Sequence, residues 1–264
     1  MIEAIIIGLV EGLTEFLPIS STGHMLIAQN FLTNRYTDAF YVLIQVGPIA
    51  ACTLAFWKDI LAFFTDWKNP DTRDYVIKIF AAFFLTGVGG FIAKKLGLKL
   101  PEESTLPVAF AVLIGAFVFF IVEHTSGKKT LHSNITWLVV IAVTLGQLSA
   151  AVFPGASRSG MAIMGALIVG LARSNAVKFS FLVGIPTMFA AGGYEFFKEF
   201  NAGNVKGLFS AEAIVAYIIA TISAWLTVVW LLKFVQSKNF IPFAWYRIGL
   251  GAVLLILLAC NVIQ

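Results

Sequence analysis

A polar motif interrupts the apolar N-terminal segment: residues 11–24 read Glu11-Gly-Leu-Thr-Glu15-Phe-Leu-Pro18-Ile-Ser20-Ser21-Thr22-Gly23-His24. Apolar arms lie on either side of the proline, over residues 2–17 and 24–32. Proline lacks a backbone donor, and it disfavours helix in the residue before it. The motif therefore predicts a helix, a break and a second, short helix.

A second segment has the same organisation. Residues 135–153 are apolar, and they are followed by Pro154-Gly-Ala-Ser157-Arg158-Ser159-Gly160 and a further apolar arm to residue 172. At about 1.5 Å per residue, neither arm after a break crosses a core ~30 Å thick. We therefore predict two re-entrant helix hairpins, with polar tips at membrane depth where protein or a wet cavity surrounds them. The alternative is that residues 135–153 cross alone and that the second break is a surface loop.

The composition excludes a soluble protein. Of 264 residues, 59% are hydrophobic and 12% are charged, whereas soluble domains carry about 25% charged residues. The net charge of +4 indicates basic loops beside anionic lipid, and no nucleic-acid partner. Charged loops such as residues 58–74 separate several long apolar stretches. The predicted spans are residues 40–57, 75–93, 105–122, 179–197, 211–232 and 242–262.

The two hairpins mark an internal repeat. A shift of 136 positions places Pro18 on Pro154, Ser21 on Ser157 and Glu11 on Gln147. Each half then contains one hairpin and three spans, and because three is odd the second half must be inverted. We predict an all-α integral membrane fold in one domain, 1–264, with repeat one at about 1–124 and repeat two at about 135–264. Such repeats place the functional site near the midplane, where the two breaks meet.

Several ionisable residues lie in or beside the hairpins, where each costs about 2.5–3.5 kcal/mol on insertion scales and is a functional candidate. They are Glu11, Glu15, His24 and Arg158. Glu11 and Glu15 are four residues apart and share a helix face. Two close carboxylates favour a divalent cation, Mg²⁺ or Ca²⁺, that is also bound by substrate phosphate. The alternative is a structural ion pair between Glu15 and Arg158.

Both breaks end in the N-terminus of a short helix, which suits phosphate. The residues concerned are Ser20, Ser21, Thr22 and Gly23 in the first break and Ser157, Arg158, Ser159 and Gly160 in the second. Arg158 adds a bidentate donor, and one turn after Ser21 lies His24, a residue type that exchanges protons in general acid–base chemistry. Simple capping by the serines is compatible with phosphate contact. For Arg247, in the last span, we expect snorkelling to the interface, with a role near the site as the alternative.

These motifs resemble a known family. Residues 11–24 match the E-G-x-T-E-F-L-P-x-S-S-T-G-H signature of the undecaprenyl-diphosphate phosphatases, the bacitracin-resistance family, and residues 154–160 match P-G-x-S-R-S-G. The C-terminal run Phe240-Ile-Pro-Phe-Ala-Trp-Tyr-Arg247 is also similar. One departure is Ala162, where the family often has threonine, which puts any role of that hydroxyl in doubt.

The resemblance implies hydrolysis of undecaprenyl diphosphate to undecaprenyl phosphate and phosphate, which recycles the lipid carrier of cell-wall synthesis and confers bacitracin resistance. It also implies a divalent cation and a multi-pass protein of the bacterial inner membrane, with its active site opening to the outer face. The family's functional residues fall on Glu11, Glu15, Ser21, Thr22, His24, Ser157 and Arg158.

We predict that Ser21 is the nucleophile, with His24 as general base and later acid, and that Glu15 takes part in catalysis. Attack by water activated by Glu15 or His24 is left open. Glu11 and Glu15 are the predicted metal ligands. The predicted substrate-binding residues are Arg158, Ser157, Ser159, Gly160, Thr22 and Ser20.

Two other classes of protein remain open at this stage. A transporter or lipid flippase also has inverted repeats and a midplane site, whereas a membrane scaffold leaves the ionisable residues unexplained. Membrane lipid is an expected partner. The run Gly87-Val-Gly-Gly90 permits close helix packing within one chain or between two, so the sequence also allows a homodimer.

Overall fold

The computed structural model describes residues 1–33, 36–98, 100–101, 104–126, 131–203 and 208–263. These residues form helices joined by turns, with a single isolated β-bridge between His132 and Leu171. The helices are α1 (Ile2–Thr14), α2 (Ser21–Phe31), α3 (Asp38–Ala55), α4 (Trp57–Thr65), α5 (Pro70–Lys95), α6 (Thr105–Ser126), α7 (Trp137–Val152), α8 (Arg158–Ile168), α9 (Arg173–Asn201), α10 (Ala211–Phe234) and α11 (Ile241–Ala259).

The six predicted spans are confirmed. Helices α3, α5, α6, α9, α10 and α11 are each long and apolar enough to cross a membrane. Helix α5 begins at Pro70 and α9 at Arg173, earlier than predicted, because a helix can continue through polar turns beyond its apolar window. The chain is a multi-pass, all-helical membrane protein over its described residues.

The helix breaks lie where the prolines predict them. Helix α1 ends at Thr14 and α2 begins at Ser21, and α7 ends at Val152 and α8 begins at Arg158. The residues before the second helices, Ser20 and Ser157, have positive φ values of 77° and 69°. Each accepts a hydrogen bond at its side chain from the backbone N–H three residues later. By backbone conformation, Ser157 therefore corresponds to Ser20 and not to Ser21 as the 136-residue shift had it.

The second break is buried and is not the surface loop that the alternative predicted. Pro154, Gly155 and Ala156 are all buried. Gly155 has φ +95°, and a Cβ at this position would lie 2.6 Å from the carbonyl oxygen of Val108 in α6. The break passes so close to α6 that only glycine fits there.

The packing joins the first half of the chain to the second. Helix α1 of the first half packs on α10 of the second half, and α7 of the second half packs on α5 of the first. In the same way, α3 of the first half contacts α10, and α9 of the second half contacts α5. Helix α8 contacts α6, and α2 contacts both α6 and α11. The largest hydrophobic cluster includes Phe16 of the first break, Phe119 of α6 and Phe181 of α9. This arrangement brings the two breaks together in the interior.

Helix α4 was missed by the sequence analysis, which predicted a loop over residues 58–74. It has no buried residue, and Trp57, Leu61 and Phe64 are exposed. Its Asp59 accepts a 2.5 Å hydrogen bond from Lys178 of α9. An amphipathic helix with exposed aromatic residues is typical of the membrane interface. The charged residues within α4 lower the hydropathy of the segment, so the sequence did not indicate a helix there.

The glycine run in α5 contributes to packing within the chain. A Cβ on Gly89 would lie 2.7 Å from the side chain of Leu148 in α7, whereas a Cβ on Gly87 or Gly90 would meet nothing within 4 Å. Close helix packing is therefore required at Gly89 alone of these three. A homodimer through this run stays a prediction.

Candidate active site

A cavity of about 590 Å³ lies between the two breaks and the helices α3, α5, α7 and α9. Six of the predicted site residues line it: Glu15, Ser20, Ser21, Thr22, Ser157 and Arg158. The other four, Glu11, His24, Ser159 and Gly160, are not among its lining residues. The structure therefore brings residues from both halves of the chain to one cavity.

Ser21, Glu15 and Arg158 form the polar centre of this cavity. The Ser21 hydroxyl donates a 2.7 Å hydrogen bond to Oε2 of Glu15. The other carboxylate oxygen, Oε1, forms an ion pair with Nη2 of Arg158. The predicted structural ion pair is thus present. The Arg158 side chain is still 29% exposed, so part of its guanidinium group faces the cavity and remains available to an anion.

Glu11 lies one turn before Glu15 and is buried. Its Oε1 has no hydrogen-bond partner among the described residues. Gln147 is the residue of the second half that corresponds to Glu11 in the 136-residue shift. It is also buried, and it lines the cavity. Both polar atoms of the Gln147 side chain lack a partner in the described part of the chain. Such groups are costly unless a water, a proton or a ligand satisfies them.

Both ring nitrogens of His24 bond to partners other than Ser21. Nδ1 is 2.7 Å from the carbonyl oxygen of Ser20, and Nε2 is 2.7 Å from the hydroxyl of Tyr246 in α11. The sequence spacing predicted that His24 would face Ser21, since the two residues are one turn apart. Tertiary contacts instead direct the imidazole toward α11, and Glu15 occupies the position beside the hydroxyl.

Ser159 and Gly160 connect the two breaks. The Ser159 hydroxyl is 3.2 Å from that of Ser157, and it lies 3.4 and 3.3 Å from the carbonyl oxygens of Glu15 and Leu17. A Cβ on Gly160 would lie 2.9 Å from Phe119. Both residues therefore contribute to the packing between the two breaks, and their contact with substrate stays a prediction.

Arg247 joins the breaks to α6, and the expectation that it snorkels to the interface was wrong. Its side chain is fully buried. The guanidinium group donates to the carbonyl oxygens of Pro18 and Gly155, at 3.4 and 3.2 Å, and to those of Ala111 and Val112, at 3.3 and 3.2 Å. It thus satisfies one carbonyl group in each break, Pro18 and Gly155, and ties both breaks to α6. The one signal in the sequence for a role near the site was the position of Arg247 at the end of the C-terminal motif, residues 240–247.

The space for Arg247 depends on Gly115 of α6, where a Cβ would lie 2.0 Å from Nη2. We expect Gly115→Ala to destabilise the protein by about 1–3 kcal/mol, because the arginine must move away from its carbonyl partners. Thermal unfolding in detergent measures the effect. Gly87→Ala is the control, since that site is open, and alanine favours helix by up to ~1 kcal/mol. Equal stability of the two variants would contradict a stabilising role for the bonds from Arg247 to these carbonyl groups.

The fold and the cavity define a class: multi-pass helical membrane proteins with a buried polar site formed by two interrupted helices. Within that class, the chain belongs to the family described as Bacitracin resistance protein BacA, whose family model matches residues 4–253.

Several curated relatives are similar over nearly their full length. A protein named undecaprenyl-diphosphatase from Rhizobium etli strain CIAT 652 is 46% identical over 255 residues, covering 96% of each chain. One of the same name from Xanthomonas oryzae pv. oryzae strain PXO99A is 46% identical over 257 residues, covering 97% of this chain and 96% of the relative.

Proposed function

We propose that this protein hydrolyses undecaprenyl diphosphate to undecaprenyl phosphate and inorganic phosphate. The family and the names of the relatives support the substrate. The observation that carries the chemistry is the hydrogen bond from Ser21 to Glu15, beside Arg158, in a cavity between two helix breaks. A hydroxyl next to a carboxylate is an activated nucleophile, and a guanidinium group binds phosphate.

The cavity suits the head group of a lipid. Its lining combines the polar centre with small residues of α5 and α9, among them Gly90, Ala191 and Gly192. Outside it, the helices present apolar side chains such as Phe91 and Phe189. The diphosphate enters the cavity while the long polyprenyl tail stays in the lipid, so no enclosed tail pocket is needed.

In the proposed reaction, the Ser21 oxygen attacks the terminal phosphorus and Glu15 accepts its proton. The bond from that phosphorus to the bridging oxygen breaks, and undecaprenyl phosphate leaves. Water then attacks the phosphoserine, and the bond from phosphorus to the Ser21 oxygen breaks. Glu15 returns its proton to that oxygen, and the proton lost by the attacking water leaves with the inorganic phosphate. Arg158 stabilises the charge that develops on the phosphoryl oxygens. Glu15 replaces His24 as the proton acceptor because it is the group in contact with the hydroxyl.

Direct attack by water is the alternative mechanism. Glu15 would then deprotonate water instead of Ser21, and no phosphoserine would form. The hydroxyl of Ser21 would only orient the carboxylate. Trapping of a covalent intermediate separates the two mechanisms, since hydrolysis of the same substrate occurs in both.

The residues at the site fit a divalent cation that is shared with the substrate. Glu15 lines the cavity and Glu11 has an unpartnered, buried oxygen four residues before it. The described residues contain no group of three or more histidine, cysteine or acidic side chains that could hold a metal ion. Mg²⁺ is often bound by one or two carboxylates and by substrate phosphate, so Glu11 and Glu15 would hold it. A bound cation would neutralise charge on the diphosphate.

Removal of the cation tests this part of the proposal. We expect chelation to abolish phosphate release and Mg²⁺ or Ca²⁺ to restore it. Glu11→Gln is expected to raise the cation concentration for half-maximal activity about tenfold or more, because it removes one charged ligand. The control is Glu195→Gln, in the cavity lining, where the carboxylate is 3.6 Å from Lys198. Unchanged activity in chelator would contradict a cation at this site.

We also propose that the two broken helices are re-entrant and that the halves of the chain are inverted repeats. The reciprocal packing of α1 on α10 and of α7 on α5 supports this arrangement. The matching left-handed caps Ser20 and Ser157 support it as well. The proposed location is the bacterial inner membrane, with the cavity open to the outer face. Labelling of single cysteines at Asp38 and Lys238 with an impermeant reagent tests the orientation.

The assay that tests the function is phosphate release from undecaprenyl diphosphate by the purified protein in detergent. Release by the wild type and its loss in Glu15→Gln would support the enzyme. Absence of release, together with movement of the lipid across reconstituted vesicles, would favour a flippase. In cells, overproduction should raise resistance to bacitracin, because less diphosphate remains for the drug to bind.

A further inference from the structure

His24 contacts the backbone of the first break. Its Nδ1 is 2.7 Å from the carbonyl oxygen of Ser20, and because a carbonyl only accepts, Nδ1 must carry the hydrogen. Its Nε2 is 2.7 Å from the hydroxyl of Tyr246, and in the neutral ring with the hydrogen on Nδ1 this nitrogen is the acceptor of that bond. Both nitrogens of the neutral imidazole are therefore occupied, and neither faces the nucleophilic hydroxyl.

The second break shows what this imidazole replaces. Ser20 and Ser157 have the same left-handed conformation, and the residue four positions later donates a backbone hydrogen bond to each carbonyl. In the second break, the N–H of Met161 is 2.8 Å from the Ser157 oxygen. In the first break, the N–H of His24 is 3.4 Å from the Ser20 oxygen, beyond the usual range of 2.7–3.2 Å. The short bond from Nδ1 supplies what the stretched backbone bond lacks.

The conformation of Ser20 determines where the next side chain points. A positive φ is unfavourable for serine and persists only where neighbouring groups hold it. Ser21 follows directly, and its hydroxyl reaches Glu15 at 2.7 Å. A relaxed Ser20 would turn the Ser21 side chain away from the carboxylate.

We propose that His24 is a positioning residue, held by Tyr246, that maintains the backbone of Ser20 and hence the contact between Ser21 and Glu15. In this role the ring neither accepts nor donates a proton during turnover. The inference rests on the proposed hydrolysis at Ser21. It assigns a function to Tyr246, which lies outside the cavity lining, and it gives His24 a role other than general base.

Two amide substitutions test the role. Asparagine places an N–H close to the position of Nδ1, whereas glutamine extends toward the position of Nε2, and neither amide takes up a proton at neutral pH. We expect His24→Asn to retain kcat within about tenfold of the wild type, since only the bond to Tyr246 is lost. His24→Gln and His24→Ala should fall at least about tenfold below His24→Asn. Loss of a general base would cost about 10²–10⁴-fold in all three variants.

Tyr246→Phe provides an independent test. It should lower kcat a few-fold in the wild-type background, since one hydrogen bond is removed. It should have no further effect in His24→Asn, where the amide does not reach the hydroxyl, so the two changes should not be additive. Thermal unfolding in detergent confirms that each variant is folded. If His24→Ala does not fold, the comparison of asparagine with glutamine decides.

Equal kcat in the Asn and Gln variants, whether low or high, would overturn the proposal. An inactive wild type would instead contradict the proposed hydrolysis. The wild-type measurement therefore distinguishes failure of the enzyme from failure of this role.

Discussion

Phosphate release by Ser21→Ala is expected to fall by roughly 10⁴-fold or more, because removal of a nucleophilic serine costs about 10⁶-fold in another hydrolase. The hydroxyl is the group in contact with Glu15 inside the cavity. Wild-type protein quenched in acid during turnover of substrate labelled in its terminal phosphate should carry label on Ser21, and the variant should carry none.

The control for this change is Ser174→Ala. Ser174 lies in the first turn of α9, at the end of the helix opposite Glu195 and Lys198, which line the cavity. Its activity should equal that of the wild type. Turnover of Ser21→Ala within about tenfold of the wild type would exclude a phosphoserine and favour direct attack by water.

The second large effect is expected at Arg158. Arg158→Ala should lower kcat by about 10²–10³-fold, the usual result of removing one donor to a developing oxyanion. Arg158→Lys should remain at least about tenfold below the wild type, since a point charge cannot bind two phosphate oxygens in the way that a planar fork does. Phosphate release under saturating lipid measures both variants.

A charge exchange separates catalysis from a purely structural ion pair. The double variant Glu15→Arg, Arg158→Glu keeps opposite charges at the two positions, so it should fold but remain inactive. Arg173→Lys is the control for Arg158→Lys, because Arg173 also pairs with a glutamate, Glu123, but lies outside the cavity. It should keep wild-type activity. Recovery of activity in the exchanged protein would reduce the pair to a structural role.

Much of the fold could be predicted because its determinants are local. Hydrophobic length identifies the six spans, and Pro18 and Pro154 mark the breaks. The short helix α4 was missed because Lys58 and Asp59 interrupt its apolar residues, and an interfacial helix needs only one apolar face. The positive φ of Ser20 was also missed, because no sequence pattern indicates that conformation in a serine.

The candidate site was predicted as a set of residues but not as a set of contacts. Arg247 shows the difference most clearly. An arginine beside aromatic residues near the start of a span is typical of the interface, yet the side chain is buried against four carbonyl groups. The residues that accommodate it, Gly115 and Gly155 among them, are far away in the chain.

The sequence by itself determined that this chain enters a membrane, that two of its helices are interrupted, and that acidic, hydroxyl and guanidinium groups accompany the interruptions. Chain length, hydropathy and proline chemistry act over a few residues, so they can be recognised without coordinates. Only the tertiary structure decided the partners: Ser21 with Glu15, His24 with Ser20 and Tyr246. The physical reason is that a hydrogen bond depends on distances of a few tenths of an ångström between groups that packing alone brings together.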